Sequence, residues 1–483
     1  SMSRSRAAPP RLAPTFGVEI EIFVRLKPSF EENIRRKRLK KEHLPDYFQE
    51  WQEDLPNDSN DRLAVRQRLR VCFALKALIE QELGPDSGWR CELDLSLRQH
   101  ELTAPPDPRK WWGIEMISPP MSINKHWQQE IEQVFEAVGQ QFNFWTTEHT
   151  SCHVHITPGP DRSSKYTEGE LANVAKGAYF WETALLDLLP VDRKKTKYAR
   201  PNYELYAGLE YSKVGQDSWG PLFKKIDATA DKGREIFVQR MMGIPELDED
   251  GSRYGSHNFE PVPVEVLGTV EFRRQAGVAS AETTIHRILL AITLHISART
   301  YDFKRAQSRR SHPSSDELIA ELARCERLLP AETCKPRYSF VRWLQDCQRD
   351  YRGGRRFTEK EINDREAALR PRSIRDLEPA TTSAGRATSG RSAQGTGTAS
   401  AGRANVGGER QGGSAPLPVR PAQSTARTSA GRTNAVGGRS GGSDLSRSAQ
   451  SGTASASSGR ASAAVVERIS TSRSDRPSSS VPR

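Results

Sequence analysis

The residues Phe16-Gly17-Val18-Glu19-Ile20-Glu21-Ile22-Phe23-Val24 decide how the rest of the chain is read. Val18, Ile20 and Ile22 fall on one side of an extended backbone and Glu19 and Glu21 on the other. That period of two marks a strand with one buried face. Two carboxylates on one side of a strand are most often solvated surface, and alone this pair says no more. The design recurs, however. Glu115 stands between Ile114 and Met116, His153 and His155 alternate with Cys152, Val154 and Ile156, and Glu271 and Arg273 alternate with Val270 and Phe272. If these strands pair, they bury one common apolar side and gather carboxylate, imidazole and guanidinium on the other. Such a surface suits Mg2+ or Mn2+, which bind nucleotide phosphates through a few carboxylates and waters. The His-x-His pattern leaves Zn2+ as a rival metal, and Glu271-x-Arg273 reads equally as an ion pair. The sequence has no P-loop and no strand-linked G-x-G-x-x-G, so no glycine loop is available to cradle phosphates.

Working outward, residues 27–60 are densely charged, contain Pro45 and Pro56, and read as a surface insertion. A helix is expected from Asp61 to Leu83, with Leu69, Cys72, Phe73, Leu75, Leu78 and Ile79 as its buried stripe and Gly84 as terminator. Short strands follow at Trp89–Leu95 and Trp112–Ile117, the second stopped by Pro119-Pro120. Asn124–Phe142 is periodic in Trp127, Ile131, Val134, Phe135 and Val138, one face of a helix. A strand is expected over Ser151–Thr157. Thr167 with Glu170 then makes a capping box for a helix that ends before Pro190. Gly268–Gln275 is the last strand, and a helix from Ser280 carries Ile285, Ile288, Leu289, Ile292 and Ile296. Residues 315–370 read as amphipathic helices anchored by Phe340 and Trp343. This order predicts an α+β fold, with helices gathered on one face of an antiparallel sheet.

The formal charge of +11 is concentrated in one place. Residues 380–483 contain 14 Arg, no Lys and 4 acids, and neither aromatics, Cys, His nor Met. A segment of Ser, Gly, Ala, Thr and Arg cannot bury enough apolar surface to offset its ordering entropy, so a disordered tail is expected. Thr382–Arg386, Thr398–Arg403 and Thr428–Arg432 repeat a Ser-Ala-Gly-Arg core, too short for a solenoid unit. With the tail set aside the remainder is nearly neutral, and nucleic acid is expected only as a weak electrostatic partner of the tail. Cys72, Cys91, Cys152, Cys325, Cys334 and Cys347 form no C-x-x-C, and no signal peptide or spanning apolar run is visible. A soluble protein of the cytoplasm or nucleus, with no membrane partner, is the expectation.

The strands also carry a family resemblance. Phe16-Gly17-Val18-Glu19-Ile20-Glu21 resembles the opening strand of the amidoligase family, part of the glutamine synthetase-like carboxylate–amine ligase superfamily. Trp89 with Asp94-Leu95-Ser96-Leu97 looks like its W…D-x-S-L segment, and Glu115-Met116-Ile117-Ser118-Pro119-Pro120 like its E-x-[VI]-S-P-P. Cys152-His153-Val154-His155 is similar to its H-V-H strand, Arg253-Tyr254…Asn258 to its R-Y…N loop, and Thr269-Val270-Glu271-Phe272-Arg273 to its T-[IV]-E-F-R. The resemblance runs over residues 16–280. It departs after E-F-R, where Arg274-Gln275-Ala276-Gly277-Val278 stands, and at His257, where an apolar residue is common; both bear on substrate choice.

The resemblance implies a glutamine synthetase-like catalytic domain over residues 16–310, between a disordered 1–15 and a helical extension at 311–379. It implies ATP with Mg2+ or Mn2+, and a carboxylate and an amine, free or on a peptide or protein, joined through an acyl phosphate. Glu19, Glu21, Glu115, His155 and Glu271 would be metal ligands, with His153 second in line. Arg273, with Glu21 and Glu271, would form the catalytic set. Arg273 would also contact nucleotide together with Arg253 and Asn258, while Asp94 and Ser96 would face the substrate. Two other readings stand beside this one. One is a metal-dependent hydrolase built on the His/Glu cluster, and the other is a non-catalytic interaction protein of the same ancestry.

Overall fold

The computed structural model describes residues 13–51, 62–94, 96–98, 102–105, 107–160, 163–194, 196–206, 209, 211–243, 254–263 and 268–370. The opening stretch forms strand β1 (Thr15–Leu26), the axis of an eight-stranded sheet. The others are β2 (Arg90–Leu93), β3 (Trp112–Ile117), β4 (Met121–Ser122), β5 (Phe142–Trp145), β6 (Cys152–Ile156), β7 (His257–Asn258) and β8 (Val270–Phe272). Their order is β2-β3-β1-β6-β8-β7, with β4 and β5 also paired to β1, and every strand pairing is antiparallel. Together with sixteen α-helices among the described residues this makes an α+β fold.

The alternation read in the sequence holds in space. Val18, Ile20, Ile22, Ile114, Met116, Cys152, Val154 and Ile156 are all buried in one hydrophobic core. Each fully buried aliphatic side chain among them contributes about 1.5–3 kcal/mol. Helix Ala281–Thr300 packs on β6, and helix Arg62–Leu83 packs on β2 and β3. Helix Ala281–Thr300 is buried on nearly every side, because helices Glu168–Phe180, Ser315–Glu326 and Trp127–Gln141 pack on it as well as the sheet. Several of its polar groups are satisfied within the core, although Arg287 Nε and Nη1 and His295 Nε2 make no hydrogen bond among the described residues. His286 pairs with the carbonyls of Glu282 (2.7 Å) and Tyr338 (2.9 Å), and Ser297 donates to Glu321 (2.9 Å). All six cysteines are free. Among the described residues no helix is long and apolar enough to cross a membrane.

Four local expectations are corrected. Residues 28–39 and 46–49 are helical, and Ile34, Leu44, Phe48 and Trp51 join the core, so this charged stretch is not merely surface. In helix Arg62–Leu83 Cys72, Leu75, Leu78 and Ile79 are buried as expected, with Ala64, Gln67, Arg68 and Val71 beside them, but Leu69 and Phe73 are 40% and 57% exposed. On the buried side Arg68 reaches inward and donates to the Leu97 carbonyl, 3.2 Å away. The helix capped by Thr167 and Glu170 breaks at Trp181 into Glu168–Phe180 and Glu182–Leu186. Finally, β8 is shorter than Gly268–Gln275. The carbonyls of Arg273 and Arg274 accept from the Arg193 guanidinium (2.9 and 3.4 Å), not from a neighbouring strand.

Candidate active site

Antiparallel register brings the polar residues together. Glu21 lies opposite Glu115, which also faces Glu92. Glu19 lies opposite His153, and His155 opposite Glu271, which in turn faces Asn258. Residues directly opposite in a ladder share a face with Cβ atoms about 5 Å apart, so the alternation in four strands becomes one cluster. Beyond Glu21 the same side of β1 carries Phe23, which packs with Leu97, Leu102 and Trp111 in a small apolar cluster that ends the polar strip.

Two ligand sets emerge, and Glu19 belongs to both. Glu19, Glu115 and His153 each offer an atom within 4.8 Å of the others, as do Glu19, His155 and Glu271. His155 Nε2 is 3.1 Å from a Glu19 oxygen and 3.8 Å from a Glu271 oxygen. That nitrogen is buried and makes no well-formed hydrogen bond, while Nδ1 is held by Thr269 Oγ1 at 3.0 Å. An imidazole fixed through one nitrogen, with the other aimed at carboxylates, is how a metal-binding histidine is presented. The donor set therefore fits a hard or borderline divalent cation. His153 Nδ1 is 3.5 Å from Glu19 and 3.3 Å from Glu271, and its Nε2 is 2.8 Å from Ser151 Oγ. Ser151 also donates to Glu21, holding that carboxylate beside the first set, 3.7 Å from His153 Nε2.

The electrostatics follow from this crowding. Burial opposes ionisation of Glu19, but the close imidazoles of His153 and His155 outweigh it and hold the carboxyl far below its usual range. Glu271 is likewise lowered, burial being overcome by His155, Arg273 and His153. Glu115 has no such partner. Burial, then the charges of Glu19, Glu21 and Asp94, push it up to about 9. Asp94 is raised by burial and by Glu21. A cluster with one carboxyl kept protonated by its neighbours is short of positive charge, and a divalent cation would supply it.

Arg273 lies at the edge of the cluster, with Nη1 2.5 Å from Glu271 Oε1. Like Glu19, Glu21, Asp94, Ser96 and Glu115, it lines a cleft of about 730 Å³. Asp94 Oδ1 accepts from the Ser96 backbone N–H at 2.7 Å, so these two form one turn of the wall. Asn258 has a different immediate task. Its side-chain amide donates to Glu271 Oε2 (2.8 Å) and its Oδ1 accepts from Glu260 N (3.0 Å), so it positions the Glu271 carboxylate of the next strand. Arg253 lies outside the described residues.

A family model described as "Putative amidoligase enzyme" matches residues 13–295, more than half of the 483 residues. The chain belongs to the amidoligase family. That places it, as a class, among amide-forming ligases. No curated protein is detectably similar to it. The match to the amidoligase family covers all eight strands and ends inside helix Ala281–Thr300.

Several residues that line the amidoligase cleft or hold its candidate ligands were not singled out as site residues from the sequence. Ser151 and Thr269 share the phase of His153/His155 and of Glu271/Arg273, so continuing the alternation two residues earlier in each strand finds both. Arg193, Lys197 and Arg356 also line the cleft, from a short helix and two loops where no periodicity marks them.

Proposed function

We propose that this amidoligase-family chain joins a carboxylate to an amine at the expense of ATP, on a glutamine synthetase-like sheet. The observation that carries the reading is the pair of ligand sets sharing Glu19, with the Arg273 guanidinium at their edge. Glu19, His155 and Glu271 would hold one Mg2+ or Mn2+, and Glu19, Glu115 and His153 a second, with Glu21 alongside. When bound, the cations neutralise charge on nucleotide phosphates.

A carboxylate is a poor electrophile, and the chemistry answers that. A substrate carboxylate oxygen attacks the γ-phosphorus of ATP, the bond to ADP breaks, and an acyl phosphate results. Arg273 meets the phosphoryl oxygens with a planar fork of donors as charge spreads over them. The amine nitrogen then attacks the carbonyl carbon, the carbon–oxygen bond to phosphate breaks, and a carboxylate such as Glu21 takes the amine proton. Asp94 and Ser96 face the substrate end of the cleft. The open cleft admits an acid or amine borne by a peptide or protein.

The test is phosphate release from ATP across paired acids and amines with Mg2+ or Mn2+, and capture of the acyl phosphate as a hydroxamate by hydroxylamine. Amide or ester hydrolysis with Zn2+ or Mn2+ and no ATP cleavage would replace the ligase by the hydrolase reading.

A further inference from the structure

The cleft has a wall that the family match does not reach. Residues 352–358 lie beyond residue 295 and join helix Phe340–Tyr351 to helix Glu359–Ala368. The second helix is fastened to the body of the domain. Asn363 exchanges hydrogen bonds with the Thr146 backbone (both 2.8 Å), and Glu366 accepts from Ala279 N (2.7 Å), Ser280 Oγ (2.9 Å) and Thr283 Oγ1 (2.7 Å). Within the joining segment, the Phe357 ring packs edge-on to Tyr351 at 5.8 Å, between the guanidinium groups of Arg365 (3.9 Å) and Arg355 (4.6 Å). With Phe357 and its flanking helices fixed in this way, the adjacent Arg356 is delivered to the cleft.

The opposite anchor is Lys194, whose ammonium donates to the Tyr351 carbonyl at 3.2 Å. It ties the extension to helix Val191–Lys194, whose Asp192 and Arg193 line the same cleft, as does the following Lys197. Arg193 is committed to the carbonyls of Arg273 and Arg274 just past β8, whereas the Arg356 guanidinium makes no hydrogen bond among the described residues. The cleft thus has a floor of carboxylates and a rim with two cations, Arg356 and Lys197.

We propose that Arg356, together with Lys197, is an anion-contact site of this ligase supplied by the helical extension. Its ligand is an oxyanion, either a second carboxylate on the acid substrate or a phosphate of the nucleotide. An exposed guanidinium with unused donors, set at a cleft by an anchored segment, suits such a group. The proposal rests on the ligase reading for its place in the reaction but not for its binding chemistry.

Calorimetric titration of the full chain with MgATP, inorganic triphosphate and glutarate tests it in wild type, Arg356→Gln and Arg356→Lys. A nucleotide source predicts that Arg356→Gln weakens MgATP and triphosphate about tenfold or more; a substrate source predicts that it weakens glutarate instead. In either case Arg356→Lys recovers most of the loss, and the melting temperature stays that of wild type. The proposal is overturned if all three probes bind Arg356→Gln within about twofold of wild type, or if wild type binds none of them. Failure of MgATP alone, with glutarate still lost in Arg356→Gln, removes the ATP reading and leaves the rim standing.

Discussion

The floor and the rim of the cleft place charge in opposite ways. On the floor, strand register fixes each carboxylate before any solvent or ligand is considered, so Glu19, Glu21, Glu115 and Asp94 are near one another whether or not that is favourable. The consequence is a Glu115 carboxyl pushed up to about 9 and a buried His155 nitrogen that faces the Glu19 carboxylate without a well-formed hydrogen bond. At the rim, Arg356 sits exposed on a loop and Lys197 lies over the Tyr198 ring at 4.9 Å, and neither needs a buried counter-charge. The difference teaches where a ligand is needed. A charge held on a rigid, half-dry strand needs a counter-charge to be stable there, whereas an exposed one is served by water until a ligand displaces that water.

The sharpest way to break the contrast is Glu19→Gln, because both ligand sets lose a member. Turnover is expected to fall about a thousand-fold, and the rise in melting temperature caused by Mn2+ should disappear. A variant that keeps its Mn2+ stabilisation would show that the floor does not bind metal. Next in size is Arg273→Lys, expected to lower the rate about a hundred-fold with little change in nucleotide affinity, since a single ammonium cannot copy the fork. Near-normal turnover would instead reduce Arg273 to a structural partner of Glu271, with which it pairs at 2.5 Å.

Two smaller effects sharpen the comparison. Thr269→Val removes the hydroxyl that holds His155 Nδ1 and should weaken Mn2+ binding about tenfold, with Thr269→Ser restoring it. The smallest effect is on stability without metal. Glu115 keeps its proton to about 9 when folded, against an ordinary value of 4.5. Its contribution is therefore intact below about pH 4.5 and is lost as pH rises toward 9, with a slope of at most about 1.4 kcal/mol per pH unit. Melting in EDTA between pH 5 and pH 9 should show this decline in wild type and a flatter profile in Glu115→Gln. Parallel profiles would mean that the floor is less crowded than its register implies.

These contrasts also explain what was legible in the sequence. The floor could be read because a strand's period of two converts directly into a shared face, and one stretch, Val18–Ile22, set the phase for the rest. Helix Trp127–Gln141 was equally plain, since its apolar residues repeat at helical spacing and are buried together. Part of the buried side of helix Arg62–Leu83 was hidden, because a buried Arg68 reaching a distant backbone carbonyl looks like surface in sequence. Residues 28–51 were masked by their charge, although four apolar side chains there join the core. The rim was invisible for a simpler reason: Lys197 and Arg356 are brought together by the path of the chain and by no local pattern.

The fastening of helix Glu359–Ala368 onto the Thr146 backbone spans 217 residues of sequence. During synthesis the carboxylate floor is complete once β8 has emerged, but the wall carrying Arg356 can dock only after a further stretch of chain has been made. For that interval a nascent chain would own its ligands without its rim. The time at which the site becomes selective is then set by the ribosome's progress through the extension, later than the time at which the sheet can close.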